Sequence, residues 1–226
     1  MSHAIVTGVS SGIGEAITDR LLEQGWSVTG LSRRVVERNN PRFRSISVDL
    51  MASDRLPEIL AQLDVPQAII HASGTMVAAP LGELNSEISQ QLWTLHVHAA
   101  EILMNHFTPH MDAGGRIIVI GSRTSRGAAN RSQYVATKAA LVGMVRSWAI
   151  ELASRGITAN IVAPGATETP MLTQPGRENS APVMPPIGRL VKPQEVAALV
   201  NFLLQPEAGA ITGQEIMICG GASLGR

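Results

Sequence analysis

Residues 3–14 are HAIVTGVSSGIG, a β-branched run that turns directly into a glycine-rich segment. Residues 3–7 have the short apolar pattern of a buried strand, and an amphipathic helical pattern follows over residues 14–24. Glycines at such a turn allow a tight bend and a close approach of backbone to a pyrophosphate, whose charge then lies at a helix N-terminus. The stretch therefore predicts a dinucleotide-binding loop after the first strand of a parallel sheet.

Strand and helix patterns alternate along the rest of the chain. This alternation predicts an α/β protein with a doubly wound parallel sheet, a Rossmann fold of about seven strands with helices on both faces. The length of 226 residues suits a single domain, residues 1–226, that carries both dinucleotide binding and catalysis. The predicted strands are 3–7, 27–31, 45–48, 68–71, 116–120, 158–162 and 215–218, and the predicted helices are 14–24, 54–63, 87–107, 132–154 and 193–204.

Composition excludes several classes of partner. Lysine plus arginine and aspartate plus glutamate both number 18, so no net charge draws the chain to nucleic acid or to an anionic membrane. No apolar stretch approaches the roughly 20 residues of a membrane span. Cys219 is the only cysteine, so no disulfide can form within the chain. We expect no nucleic acid, membrane or metal partner, and a cytoplasmic location.

One proline-rich segment, residues 166–192, has no regular pattern. It follows the strand that ends near Pro164 and Gly165, at the carboxyl edge of the sheet where open α/β folds bind ligands. Long irregular loops in compact domains are usually functional. We interpret it as the substrate lid.

The end of the second strand indicates which dinucleotide is bound. NAD sites place an acidic residue about 20 residues beyond the glycines, but here the chain has Ser32, Arg33 and Arg34. Guanidinium groups recognise a 2′-phosphate by charge and bidentate geometry. The segment predicts NADP(H) in preference to NAD(H). The alternative is that the two arginines only solvate a loop.

Tyr134 and Lys138 lie four residues apart in a predicted helix, so both side chains share one face. A phenol with an ordinary pKa of about 10 needs a nearby cation to act near neutrality. Lys138 is placed to supply it, and Tyr134 would then protonate a carbonyl oxygen or deprotonate an alcohol.

The spacing Thr-Gly-x-x-x-Gly-x-Gly, joined with this Tyr-x-x-x-Lys pair, resembles the short-chain dehydrogenase/reductase family over nearly the whole chain. Val48-Asp49-Leu50 matches the family's adenine-contacting segment, although Asp49 could equally cap a helix. Residues 71–74, HASG, stand where the family has Asn-Asn-Ala-Gly, and residues 164–169 match its Pro-Gly-x-x-x-Thr. The predicted cofactor contacts are Gly8, Ser10, Ser11, Gly12, Ile13, Gly14, Ser32, Arg33, Arg34, Asp49, Leu50, Ala72, Ser73, Gly74, Tyr134, Lys138, Pro164, Gly165, Thr167 and Thr169.

The resemblance also implies two further catalytic positions. Ser122 matches the serine that binds the substrate oxygen, although the loop to Tyr134 is one residue shorter than usual, which leaves Ser125 as an alternate. His96 stands where the family carries a catalytic asparagine that steadies a water near the lysine. His96 could shuttle protons itself, or it could be a hydrogen-bonded helix histidine without a catalytic role.

Together these features predict an NADP(H)-dependent oxidoreductase that interconverts a small carbonyl compound and its alcohol by hydride transfer. Arg123, Arg126 and Arg131 near the catalytic residues indicate an anionic substrate, unless they only solvate loops. Two alternatives stay open: a non-catalytic nucleotide-binding or sensor protein on the same fold, and, among enzymes, a 3-oxoacyl thioester reductase. The resemblance further implies a homodimer or homotetramer.

Overall fold

The computed structural model describes residues 2–173 and 180–224. Its seven strands form one parallel sheet in the order β3-β2-β1-β4-β5-β6-β7, which confirms the predicted doubly wound fold. The strands are β1 (His3–Thr7), β2 (Ser27–Ser32), β3 (Phe43–Ser47), β4 (Ala68–His71), β5 (Arg116–Ile120), β6 (Thr158–Pro164) and β7 (Glu215–Ile218). The helices are α1 (Gly12–Glu23), α2 (Leu56–Leu60), α3 (Ser86–Trp93), α4 (Ala99–Phe107), α5 (Ser132–Ala153) and α6 (Pro193–Leu203).

The sheet is buried on both faces, as continuous apolar strands require. In β1, Ile5 packs into one apolar core, whereas Ala4 and Val6 pack into the other. The first core is covered by α2, α4 and α5, and the second by α1 and α6. Helices therefore lie on both faces, as predicted. None of the helices within the described ranges is long and apolar enough to cross a membrane.

The strand order fixes where a ligand can bind. β1 lies between β2 and β4: the chain proceeds from β1 outward to β2 and β3, and then crosses back to β4 on the other side of β1. In open α/β sheets this reversal opens a crevice outside the carboxyl ends of the strands. The loops after β1, β4, β5 and β6 all meet at that edge, and these are the loops that carry the predicted site.

The predicted helix over residues 87–107 is wrong in one respect. It is interrupted between α3 and α4 by a π-helical segment, Thr94–His98, with His96 at its centre. An apolar periodicity does not reveal one wide turn, because the pattern before and after it stays helical. Asn85 starts α3 by accepting hydrogen bonds from the backbone of Glu87 (2.7 Å) and Ile88 (3.4 Å).

Most other boundaries differ from the predictions by one or two residues. α2 is shorter than the predicted 54–63, because Pro57 lacks a backbone N–H and falls in its first turn. β3 begins two residues earlier than predicted, at Phe43, and ends at Ser47, whereas β6 continues to Pro164.

Candidate active site

The glycine-rich loop joins β1 to α1 so tightly that two of its glycines cannot be replaced without strain. Gly8 has φ +76°, and a Cβ there would lie 3.0 Å from the backbone nitrogen of Ser73. A Cβ on Gly14 would lie 2.3 Å from the carbonyl oxygen of Gly8. The side chain of Ser11, at the N-cap of α1, accepts no hydrogen bond from the first turn. A cradle of backbone N–H groups at a helix N-terminus thus faces the sheet edge, where it fits a pyrophosphate.

The predicted 2′-phosphate segment lies beside this loop. Arg34 is exposed, and its Nη2 lies 3.4 Å from both the hydroxyl and the carbonyl oxygen of Ser10. Ser32 donates its hydroxyl to the Arg34 carbonyl at 2.7 Å, and Ser47 donates to the carbonyl of the exposed Arg33 at 3.0 Å. The structure therefore places the Arg34 guanidinium at the rim of the glycine loop, with the exposed Arg33 beside it in the chain.

Two other predicted adenine-side positions have local structural roles. The Asp49 carboxylate accepts a hydrogen bond from the backbone of Met51 at 3.0 Å, which forms an Asx turn; it caps no helix, because α2 begins at Leu56 after Arg55. Leu50 is buried.

A cavity of about 220 Å³ opens at the carboxyl edge of the sheet. It brings together all three residues of the predicted Ser-Tyr-Lys set with part of the predicted cofactor set. The predicted residues that line it are Ser11, Ile13, Ala72, Gly74, Ser122, Tyr134, Lys138, Pro164, Gly165, Thr167 and Thr169. The sequence did not single out Thr75, Met76 or Thr124, which also line it, because none of these belongs to a recognisable motif.

Ser122, rather than Ser125, faces this cavity. Ser122 is the N-cap of a short 3₁₀ turn, where its oxygen accepts from the Thr124 backbone at 3.2 Å and lies 2.8 Å from the Thr124 hydroxyl. Ser125 donates to a carboxylate oxygen of Glu215 at 2.6 Å and is not among the described residues that line the cavity. The geometry favours Ser122 as the residue that meets a ligand.

Lys138 is buried on the second turn of α5. Its Nζ donates to the carbonyl oxygen of Ile120 at 2.9 Å and lies 5.8 Å from the centre of the Tyr134 ring. Burial lowers the pKa of Lys138 to about 8, because the ammonium has lost most of its hydration. The phenol thus has a close cation, as the i,i+4 spacing predicts.

His96 is fully buried beneath the cavity and is bonded at both ring nitrogens. Nε2 accepts from the Thr75 backbone at 3.1 Å, and Nδ1 lies 2.8 Å from the Thr137 hydroxyl. Thr137 in turn donates to the carbonyl oxygen of Tyr134 at 2.8 Å. Burial, and then the charge of Lys138, hold the pKa of His96 well below its usual range.

A second buried histidine was not predicted as a site residue in its own right. His71 Nδ1 lies 3.1 Å from the hydroxyl of Thr7, which also accepts from the backbones of Ala72 and Ser73 at 3.0 Å each. Burial, and then Lys138, lower the pKa of His71 to about 3, so both histidines under the cavity are neutral.

The segment after β6 closes the cavity on the side of the glycine loop. The Thr169 side chain lies 3.0 Å from where a Cβ on Gly12 would stand. Thr167 donates its hydroxyl to the Gly165 carbonyl at 3.0 Å, so it shapes the turn. Thr169 therefore lies between the glycine loop and the cavity.

The three arginines near the site differ in position. Arg123 and Arg131 line the cavity, the former donating to the Ala222 carbonyl at 3.4 Å and the latter to the Ser180 carbonyl at 3.3 Å. Arg126 is exposed and lies 3.9 Å from Glu215. Among residues 2–173 and 180–224, no group of three or more histidine, cysteine or acidic side chains could hold a metal ion.

Known proteins match this chain in sequence and in fold. A family model described as enoyl-(acyl carrier protein) reductase matches residues 8–223. The 3-oxoacyl-(acyl-carrier-protein) reductase of Vibrio harveyi is 31% identical over 236 residues, 96% of this chain and 96% of that protein. A hydroxynaphthalene reductase-like protein of Metarhizium majus is 29% identical over 250 residues, 97% of this chain and 94% of that one.

Solved structures of short-chain dehydrogenases share the fold of this chain. A short chain dehydrogenase family protein from Francisella tularensis has a TM-score of 0.90 at 25% identity, with 100% of both chains covered. A blue fluorescent protein from a metagenomic library, in complex with NADPH, has a TM-score of 0.84 at 29% identity, covering 98% of this chain and 97% of that one. A 4-hydroxyisoleucine dehydrogenase complexed with NADH, at 24% identity and a TM-score of 0.88 with 100% of both chains covered, shares the fold.

The fold and the cavity define an oxidoreductase built on a dinucleotide-binding sheet. The chain belongs to the short-chain dehydrogenase/reductase family, as its motifs predicted. Members of this class act on alcohol or carbonyl groups of small molecules with a nicotinamide cofactor.

Proposed function

We propose that this protein is an NADP(H)-dependent oxidoreductase that interconverts a small carbonyl compound and its alcohol, with Tyr134 as the general acid or base. The observation that carries the proposal is the convergence of Ser122, Tyr134 and Lys138 on one cavity beside the glycine loop. A protein that only bound nucleotide would not need this set. The nicotinamide, when bound, supplies or accepts the hydride.

The chain's own residues would handle the proton. In the reduction, the Ser122 hydroxyl binds the substrate oxygen, and Tyr134 Oη transfers its proton to that oxygen as the carbonyl carbon accepts the hydride. The products are an alcohol and a phenolate, which the buried Lys138 ammonium stabilises by charge. In the oxidation the same phenolate removes the alcohol proton. His96 belongs beneath this set rather than in contact with substrate.

The test is NADPH consumption by the purified protein over a panel of acidic, neutral and acyl-thioester ketones, with Tyr134→Phe measured in parallel. Thioesters are included because a 3-oxoacyl-(acyl-carrier-protein) reductase is among the relatives. We expect turnover that falls at least about a hundredfold in Tyr134→Phe while NADPH still binds. NADPH binding without turnover on any substrate would favour the sensor alternative instead.

We propose NADP(H) as the preferred cofactor, with Ser32, Arg33 and Arg34 at the 2′-phosphate. The contact between Arg34 and Ser10 supports it, as does the NADPH-bound relative, although the NADH-bound neighbour shows that the fold accommodates both. NADPH should bind at least tenfold more tightly than NADH, about 1.4 kcal/mol. Arg34→Ala should remove the difference and Arg20→Ala, an exposed arginine at the far end of α1, should not. Equal affinities in the unmodified protein would contradict the assignment.

We further propose that the substrate carries a negative charge near Arg123 and Arg131. Among the described residues that line the cavity none is acidic, so these guanidiniums and Lys138 leave a net positive wall. Arg123→Met should raise KM for acidic ketones more than for neutral ones. Arg126→Met is the matched control, because Arg126 is exposed and lies outside the described lining. Equal effects of Arg123→Met on both substrate classes would count against the charge.

Three contextual properties complete the proposal. Residues 166–192 act as the substrate lid. This is supported by four residues of the segment that line the cavity, Met171, Leu172, Pro182 and Val183. Residues 174–179 of the segment lie outside the described chain. The single domain works in the cytoplasm as a homodimer or homotetramer that uses α4 and α5. Light scattering on the purified protein tests the assembly, and a monomer at micromolar concentration would refute it.

A further inference from the structure

The hydrogen bonds of His96 determine its tautomer. The Thr75 backbone N–H can only donate, so Nε2, at 3.1 Å, must present its lone pair and carries no hydrogen. An imidazole that keeps one proton must then carry it on Nδ1. That N–H donates to the Thr137 oxygen at 2.8 Å, whose own hydrogen is used on the Tyr134 carbonyl at 2.8 Å. From the Thr75 N–H through His96 and Thr137 to the Tyr134 carbonyl, each donor therefore has an acceptor, and no additional proton is needed.

The surroundings of His96 oppose a second proton. Three ionisable groups face it: Lys138 and Tyr134 from α5, and His71 from β4. The Tyr134 ring meets it edge-on at 5.7 Å. Protonation of Nε2 would break the hydrogen bond from Thr75, because the new N–H of the ring would face the Thr75 backbone N–H. It would also add a second positive charge beside the Lys138 ammonium in a buried site.

The same bonds tie the floor of the cavity to the catalytic helix. Gly74 and Thr75 line the cavity after β4, and a Cβ on Gly74 would lie 3.2 Å from His96 Nε2. Through Thr137, His96 is connected to the backbone of Tyr134 in the first turn of α5. The wide π turn holds His96 between these two elements.

We propose that His96 is a positioning residue: a neutral imidazole, locked as the Nδ1–H tautomer, that aligns Tyr134 with the cavity floor and transfers no proton during turnover. The kinetic part of this inference rests on the proposed oxidoreductase function. The tautomer part does not, because it concerns the unliganded protein.

The first test is NMR of the full chain labelled with ¹⁵N-histidine, recorded from about pH 5 to about pH 8, where an ordinary imidazole titrates. The His96 ring, assigned by its loss in His96→Gln or by through-space contacts to Thr137, should show a protonated Nδ1 and an acceptor Nε2 throughout. A ring that titrates in this range, or that carries its proton on Nε2, would overturn the proposal.

The second test compares Thr137→Val, which keeps the shape but removes the hydroxyl, with Thr137→Ser, which keeps the hydroxyl. Loss of alignment should lower kcat about tenfold to a hundredfold in Thr137→Val, with little change in KM for NADPH, and Thr137→Ser should regain most of the rate. His110→Asn, an exposed histidine beyond α4, is the control and should match the unmodified protein.

The pH profile separates positioning from proton transfer. His96→Asn, which places the family's amide at this position, should keep every inflection of the profile, because His96 contributes none. An inflection near the ordinary imidazole pKa that disappears in His96→Asn would refute the proposal, as would a Thr137→Val enzyme with unchanged kcat. If the unmodified protein turns over no substrate, the proposed function fails and the NMR result alone decides on His96.

Discussion

The buried Lys138 should destabilise the protein that it serves, and Lys138→Met should show this. Burial lowers its pKa from the ordinary 10.5 to about 8, so below about pH 8 the folded protein holds an ammonium that would be better hydrated in the unfolded chain. Between about pH 8 and about pH 10.5 the unfolded chain binds one more proton than the folded one. The free energy of unfolding contributed by Lys138 must therefore rise with pH across that window.

The magnitude follows from the same shift. A displacement from 10.5 to about 8 corresponds to roughly 3 kcal/mol of unfavourable free energy while the side chain is charged. Methionine removes that term but leaves the Ile120 carbonyl without the Nζ donor, which costs about 1–3 kcal/mol. We expect Lys138→Met to be as stable as the unmodified protein or up to about 2 kcal/mol more stable near pH 7, and less stable near pH 10.

Urea unfolding of both proteins at about pH 7 and about pH 10 measures the change, a swing of roughly 2 to 3 kcal/mol in their difference. Groups common to both proteins cancel in that difference. Lys192→Met, at an exposed lysine, is the matched control. A difference that stays constant with pH, or one that moves in Lys138→Met's favour at high pH, would refute the reasoning. Loss of turnover with no loss of stability near neutrality would show that Lys138 is kept for catalysis.

Two further predictions concern residues outside the described lining of the cavity. Gly14→Ala should abolish measurable NADPH binding and lower the free energy of unfolding by about 2 kcal/mol or more, because its Cβ would lie 2.3 Å from the Gly8 carbonyl oxygen. Calorimetric titration with NADPH measures the binding, and an unchanged affinity would contradict the prediction. Asn160→Leu should lower the free energy of unfolding in urea by roughly 2–5 kcal/mol, because the Asn160 side chain donates to the Ile211 carbonyl at 2.7 Å and accepts from the Gln214 N–H at 3.0 Å. Turnover per folded molecule should not change. An unaltered urea midpoint would show that these two backbone groups find other partners.

Much of the fold could be predicted because parallel strands buried on both faces leave short β-branched runs, and each run here is followed by a turn and an amphipathic segment. The residues of the cavity could be predicted where a spacing implies a common face or a common sheet edge. Tyr134 and Lys138 are four residues apart on α5, and Ser122 follows a strand end. The π segment could not be predicted, because one wide turn leaves the apolar pattern intact.

The hydrogen-bond partners of several site residues could not be predicted, because they lie on segments far away in the sequence. The Thr7 hydroxyl accepts hydrogen bonds from the backbone N–H groups of Ala72 and Ser73, which are 65 and 66 residues away. Nothing in the local pattern of a strand residue predicts these bonds. The two interpretations of His96 likewise depend on Thr75 and Thr137, which are 21 and 41 residues distant. Only the folded arrangement shows which nitrogen accepts and which donates.

Two of the three positions where the family has asparagine hold a histidine here, His71 and His96, and both are buried near Lys138, whereas the third holds Ala72. A neutral imidazole offers one donor and one acceptor at opposite sides of a rigid ring, so it can join two elements as an amide does. It does so only while neutral, because a second cation beside a buried ammonium would be strongly unfavourable. Burial, and then the Lys138 ammonium, keeps the histidines beneath the cavity uncharged, and substitution of a histidine for an asparagine here need not add a proton relay.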